Sequence, residues 1–317
     1  MSGIKTVGLI VNVAGESYDL NDGDEIRLLD YDLGTAPVRR LAQRAPAQLG
    51  DTDLGWRMDP RFVDLFWTIR GVDVDAYRDL RERFLIAFQP RDEDAAQLVF
   101  DFGSKVRALD VNLDGELNWT NRVEKIERVS GVFKASDPRL YDPEVHTILF
   151  SLEASGVATT GWAIPWPIPW PIGTDVLNMG VKFSYAGNSR LGAPEYPVMR
   201  IFGPITGPIL TNDTTEEVID LTDNGGLVLA DASEWVEIDL ASPPRRDAKT
   251  IRDQDGNSMD QYLTTASDLA TWHLAPAGER LPAGNYCTGL NVVRLYGTGV
   301  TKDTMATLNY YHRYWGV

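Results

Sequence analysis

Apolar and polar residues alternate with a period of two along most of this chain. Val7, Leu9, Val11 and Val13 alternate with small or polar residues, the mark of a half-buried strand. Asn21-Asp22-Gly23-Asp24 is turn chemistry, and an extended pattern resumes from Glu25 to Tyr31. Residues 35–57 are poorly hydrophobic and hold Pro37, Pro46, Gly50 and Gly55, which predicts a long loop or a projecting hairpin. Val63, Leu65, Trp67 and Ile69 then alternate cleanly up to Gly71. The period changes after that. Val74, Tyr77, Leu80, Phe84, Leu85 and Phe88 fall at helical spacing, with Asp73 or Asp75 as the cap and Pro90 as the stop. Further strands are predicted at 97–102, 105–113, 122–128, 132–135 and 145–152.

The second half shows no helical period longer than two turns. Val198, Arg200 and Phe202 run into Gly203-Pro204; Val218 and Asp220, then Val236, Ile238 and Leu240, alternate. Asp253-Gln254-Asp255-Gly256-Asn257 predicts a hairpin tip. Residues 290–296 and 304–314 close the chain. The pattern as a whole is mainly β. It predicts an N-terminal β-sandwich or barrel carrying one helix, and a C-terminal β-sandwich of jelly-roll type. No internal repeat is evident.

Between the halves lies a segment of different character, Gly161 to Gly173. Pro165, Pro167, Pro169 and Pro171 remove backbone donors and fix φ, so neither a helix nor a central strand can pass. Trp162, Trp166 and Trp170 alternate there with Ile164 and Ile168 among others. That much apolar surface favours burial, at roughly 1.5–3 kcal/mol for each large side chain. Two readings stay open: a stiff connector clamped by its own domains, or a contact with another chain. The boundaries that follow are a first domain at 1–155, a Trp/Pro-rich connector at 156–175 and a second domain at 176–317.

Composition narrows the function classes. The 317 residues include 30 Lys+Arg and 46 Asp+Glu, a net charge of −16. Up to Glu153 there are 19 basic against 28 acidic residues; the remaining 11 and 18 make the second half acidic as well. Neither half offers the basic face that phosphate binding requires, so stable nucleic-acid binding is not expected. No run of eighteen apolar residues exists and no membrane insertion is expected. The N-terminus lacks a signal-peptide pattern, and the single Cys287 fits folding in a reducing compartment.

Candidate chemistry is sparse. Residues 110–116 copy the start of a calcium loop, but Asn121 stands where the bidentate Glu belongs, and a β-turn is the better reading. His146, His273 and His312 lack metal-ligand spacing. No nucleophile elbow, Walker loop or dinucleotide fingerprint is present. No carboxylate pair stands out as a glycosidase site. Catalytic residues, metal and cofactor are therefore all expected to be none. Trp235 and Trp272 are candidate sugar-stacking residues, with core packing as the competing reading.

A strand at 132–135 runs into Ser136-Asp137-Pro138-Arg139-Leu140-Tyr141-Asp142. This corner, with Asp137, Pro138, Arg139 and Tyr141, resembles one in the siphophage distal tail protein family, also called the phage tail component family. Other short motifs agree in order: Ile69-Arg70-Gly71 before the helix, the Pro-rich passage, Gly180, the strand 199–202 with Gly203-Pro204, Asp255-Gly256, Ala283-Gly284-Asn285, and the aromatic close 308–315. The loop 35–57 finds no match. The resemblance implies a galectin-like second sandwich and a structural, non-enzymatic role in the baseplate hub at the tail tip of a virion assembled in the host cytoplasm. It implies a homo-oligomeric ring, six-fold in the family, formed by the first domain. Its partners would be the tail tube protein and the tail tip or hub protein. The acidity would then serve either a lumen that repels DNA or plain solubility. A host-surface glycan bound by the second sandwich is the alternative.

Overall fold

The computed structural model describes residues 8–13, 16–35, 37–43, 52–89, 95–151, 176–186, 191–241 and 249–316. The connector, with Trp162, Ile164, Trp166, Ile168 and Trp170, lies outside the described residues, as does Pro90. The fold is mainly β, with one α-helix among the described residues. The chain divides into two compact units. One comprises residues up to Pro143 together with the last four, from Tyr314 on; the other runs from Glu144 to Arg313.

In the first unit the strands are β1 (Gly8–Val13), β2 (Glu16–Asp19), β3 (Ile26–Asp32), β4 (Val38–Gln43), β5 (Thr52–Met58) and β6 (Arg61–Arg70). Helix α1 (Val74–Ala87) follows, then β7 (Ala96–Asp101), β8 (Val106–Leu113), β9 (Asn118–Val123), β10 (Ile126–Ala135) and β11 (Leu140–Tyr141). The sheet is antiparallel throughout. β3, β6 and β10 run side by side, β9 edges β10, and β2, β1, β7 and β8 follow one another. β8 joins the two runs, because its last residues pair with β10 at Phe133↔Leu113. Strand β6 shows why the alternation is so legible: Val63, Leu65, Trp67 and Ile69 are all fully buried.

Helix α1 begins where the side chain of Asp73 accepts from the N–H groups of Asp75 (3.0 Å) and Ala76 (2.8 Å). It buries Tyr77, Leu80, Phe84 and Ala87. Trp67 meets the ring of Phe84 edge-on at 5.2 Å and that of Phe133 at 6.1 Å, so sheet and helix share one aromatic core. Two expected members of the buried face are exposed. Leu85 lies one residue past Phe84, about 100° round the helix, and Val74 sits in the first turn beyond the buried stripe.

Within residues 35–57, the stretch expected to be a long loop or a projecting hairpin, β4 pairs antiparallel with β5, which fits the second of those readings. The single strand expected at 122–128 is two strands joined by a tight turn at Glu124, whose φ of 53° is left-handed. Glu carries no turn signal, which is why periodicity ran straight through it.

The second unit contains β12 (His146–Ser151), β13 (Val176–Ser184), β14 (Gly192–Ala193), β15 (Val198–Phe202), β16 (Ile205–Asn212) and β17 (Glu217–Asp220). After these come β18 (Val228–Leu229), β19 (Trp235–Asp239), β20 (Thr250–Asp253), β21 (Leu290–Thr298) and β22 (Met305–Tyr310), and a two-residue strand β23 (Arg313–Tyr314) straddles the boundary between the units. One sheet has the order β12-β22-β15-β19-β20; the other is β13-β21-β16-β17 with β18 on β16. Met199, Ile201, Val236, Ile238 and Leu308 of the first sheet, and Met179, Leu210, Val293 and Leu295 of the second, are buried core. The expected tip at 253–257 is a tight turn in which Asp253 accepts from the N–H groups of Asp255 and Asn257, with Gly256 at φ 81°.

Candidate assembly surface

The Asp-Pro-Arg-Leu-Tyr-Asp corner is a braced turn. Arg139 donates from Nε and Nη2 to the two carboxylate oxygens of Asp137, at 2.8 and 2.7 Å, and both side chains are largely buried. Pro138 is buried beside them. Tyr141 donates its hydroxyl to Asp110 and accepts from the amide of Gln97 at 2.8 Å. Asp142 pairs with Arg107, whose guanidinium lies 3.9 Å over the ring of Tyr314. The Tyr314 hydroxyl donates to Asp142 at 3.1 Å. Burial first, then the Asp142 charge, push the Tyr314 hydroxyl up to about 12. Buried Arg61 donates to the Trp315 carbonyl at 2.9 Å. The corner therefore sits where the chain leaves the first unit after Pro143 and where it comes back at Tyr314. Within it Asp137 pairs with Arg139 and Asp142 with Arg107, so each carboxylate of the corner has a guanidinium partner.

The outer side of β6 is different. Phe62 and Phe66 have the opposite parity to the buried row, and they are 49% and 44% exposed. Their cross-strand neighbours on β10 are Lys134 and Ser130, and Val132 between these is exposed too. On the other flank Phe66 faces Asp30 of β3, beside exposed Leu29. Two phenyl rings on the solvent side of an ordered central strand are a surface that another protein can cover. The sequence signal was present, as apolar residues on both parities of 61–70, but the stronger buried row masked it.

In the second unit, Trp272 is fully buried and cannot stack on a sugar. Its bulk packs in the core, which corrects its candidacy. Trp235 is half-buried, and the guanidinium of Arg200 lies 4.6 Å over its ring. Arg200 donates to Glu237 at 2.9 Å across the β15–β19 pair. A concavity of about 370 Å³ opens beside them, lined by Tyr196, Val198, Arg200, Glu237, Asn309 and Tyr311 among others.

The rings of His146 and His312 come within 4.2 Å, brought together because His146 pairs with Tyr310. His273 lies between two carboxylates, Nδ1 3.1 Å from Glu217 and Nε2 2.7 Å from Glu279. Burial opposes its charge, but the two carboxylates outweigh burial and hold the ring proton up to about 10. Among the described residues no group of three acidic, His or Cys side chains is placed to hold a metal, and no helix is long and apolar enough to cross a membrane.

Comparison of the backbone with solved structures adds the frame. The Dit protein of phage SPP1, described as a paradigm of the hub adsorption apparatus in phages infecting Gram-positive bacteria, aligns over 98% of this chain and 100% of its own with a TM-score of 0.52. The fold is Dit-like. Sequence identity is 11%, so the likeness lies in the path of the backbone. Two structures of the phage p2 baseplate in its activated conformation, with Ca and with Sr, align over 98% of this chain and 99% of theirs. Their identities are 10% and 11%, and their TM-scores of 0.48 and 0.47 add nothing to the assignment. No protein-family model and no curated sequence matches the chain.

Proposed function

We propose that this chain is a structural, non-enzymatic subunit of the ring that joins the tail tube of a long-tailed phage to its tip complex. The observation that carries the reading is the Dit-like fold, aligned over 98% of this chain and the whole of the SPP1 protein. The first unit builds the ring, and the exposed Phe62–Phe66 face supplies apolar surface for contact between neighbouring copies. A head-to-tail ring needs two different patches that close by rotation, and this face serves as one of them. Tail tube and tip proteins are the axial partners, the ring is six-fold, and the tail tip is the location. The committed corner suits a scaffold: Asp137, Arg139, Arg107 and Asp142 are all paired.

Native mass spectrometry of the full chain tests this. The wild type is expected to give a closed oligomer. Phe62→Ser with Phe66→Ser is expected to shift it to smaller species while changing stability by no more than about 0.5 kcal/mol per site, as for exposed positions. Oligomers that ignore the double substitution would remove this face from the interface.

A further inference from the structure

The outward residues of β6 run Arg70, Thr68, Phe66, Asp64, Phe62 along the strand. Thr68 lies in register between Arg27 of β3 and Arg128 of β10, so three exposed guanidinium groups gather at one end of this face. Phe66 and Phe62 hold the other end, with Asp64 between them opposite Val132. Among the described residues, the side chains of Arg27, Arg70, Arg128 and Asp64 take part in no hydrogen bond or ion pair. The alternate residues of β6 are buried in the core, so the floor is rigid. Three like charges held on a rigid floor repel one another, and an anionic cover relieves them.

Helix α1 carries such a cover in matching order. Asp75, Asp79, Glu82 and Ile86 recur at helical spacing and are all exposed, on the side away from buried Tyr77, Leu80 and Phe84. Asp75 is shared with Arg78, whereas Asp79, Glu82 and exposed Arg83 have no side-chain partner among the described residues. The stripe is acidic through its first turns and apolar at its end, where Leu85 is 50% and Ile86 38% exposed. From Asp75 to Ile86 it spans about 17 Å. From Arg70 to Asp64 the strand spans roughly 20 Å. Acid turns over the arginines therefore bring Leu85 and Ile86 over the phenyl rings, with Arg83 near Asp64.

The two surfaces cannot meet within one chain. Phe84 of α1 packs on Trp67, which is on the core side of β6, so the helix lies behind the strand and its stripe faces away. The cover for β6 must come from a second copy. A contact between two different patches is heterologous, the kind that propagates around a ring; the sheet face laid on its own counterpart would stop at two copies. We infer that α1 of one copy docks along the outer face of β6 in the next, Asp79 and Glu82 meeting Arg27 and Arg128, and Leu85 and Ile86 covering Phe62 and Phe66.

This pairing rests on the proposed ring, and native mass spectrometry of charge-reversed full chains separates the two. Arg27→Glu with Arg128→Glu reverses the sheet side; Asp79→Lys with Glu82→Lys reverses the helix side. All four positions are exposed, and thermal midpoints check that each variant is folded. Each reversed chain alone is expected to lose the oligomer and run as single copies. Mixed in equal amounts, the two are expected to regain it with equal numbers of each, since every contact then joins opposite charges. Leu85→Ser with Ile86→Ser is expected to lose the oligomer with no change of charge. A wild-type oligomer that survives the helix reversal or the Leu85 and Ile86 change overturns the pairing and leaves the ring standing, as does a mixture that stays monomeric. A helix-reversed chain that still forms dimers overturns it in favour of sheet against sheet. A wild type that never oligomerises overturns ring and pairing together.

Discussion

His273 shows what one residue contributes to this fold. It ties the start of β17, through Glu217, to the loop that carries Glu279, and its own backbone N–H donates to Glu217 at 3.0 Å. The folded protein keeps the imidazole proton up to about pH 10, whereas the unfolded chain releases it near the ordinary value of 6.5. A raised folded pKa means that the stabilisation is complete below 6.5 and drains away as pH climbs to about 10. His273→Gln keeps hydrogen-bonding capacity but never carries the charge. Denaturant midpoints should therefore differ most between wild type and variant in mildly acidic buffer, and the difference should shrink steadily across that window. A gap of constant size would mean that the charge plays no part. None of this was visible in the spacing of three isolated histidines. Glu217, His273 and Glu279 meet through tertiary packing, and sequence distance says nothing about which carboxylates will arrive. The corner is the opposite case. Asp137 and Arg139 are two residues apart, so their bond is local and the motif could be read directly.

At the scale of elements, the helix and its strand depend on Gly71. A Cβ built there would stand 2.4 Å from the Tyr77 nitrogen and 2.6 Å from the Asp73 carbonyl oxygen. Both are backbone atoms of the helix start, so neither can swing aside. Gly71→Ala should displace the first turn that Asp73 caps and cost roughly 1–3 kcal/mol, the usual range for overpacking. A chemical-denaturation curve indistinguishable from wild type would show that the helix start has room to give. Element types were legible wherever one face is buried and the other wet, as in 63–69, 198–202 and 236–240, because a period of two is a local property. The helix face was read with two wrong members, Val74 and Leu85, since spacing alone does not say how wide the covered stripe is. The Glu124 turn was missed for want of Gly or Pro. The pairing of Arg200 with Glu237 spans 37 residues, and strand order is not written in periodicity. Hence the strands could be named but the groove they form could not.

For the whole molecule, the chain's organisation explains why scaffold is the best reading. The first unit is closed by its own last residues: Tyr314 and Trp315 dock on Arg107, Asp142 and Arg61. The second unit is thus an insertion whose two ends leave and re-enter the first unit at one braced corner. Such an arrangement lets the inserted unit vary its surface while the first keeps its packing. The Dit-like backbone at 11% identity over the whole alignment fits a path that alternation, caps and turns define without fixing the residues. The net charge of −16 suits a body that DNA passes without sticking, and equally a soluble one. The central claim is that copies of this chain close into a ring through the first unit. Electron cryo-microscopy of the purified protein, classified without imposed symmetry, tests it most directly. The account predicts annular particles with the first unit lining the central hole and the second unit on the outside. Particles that remain single copies at the highest soluble concentration, or rings closed by the second unit, would contradict it.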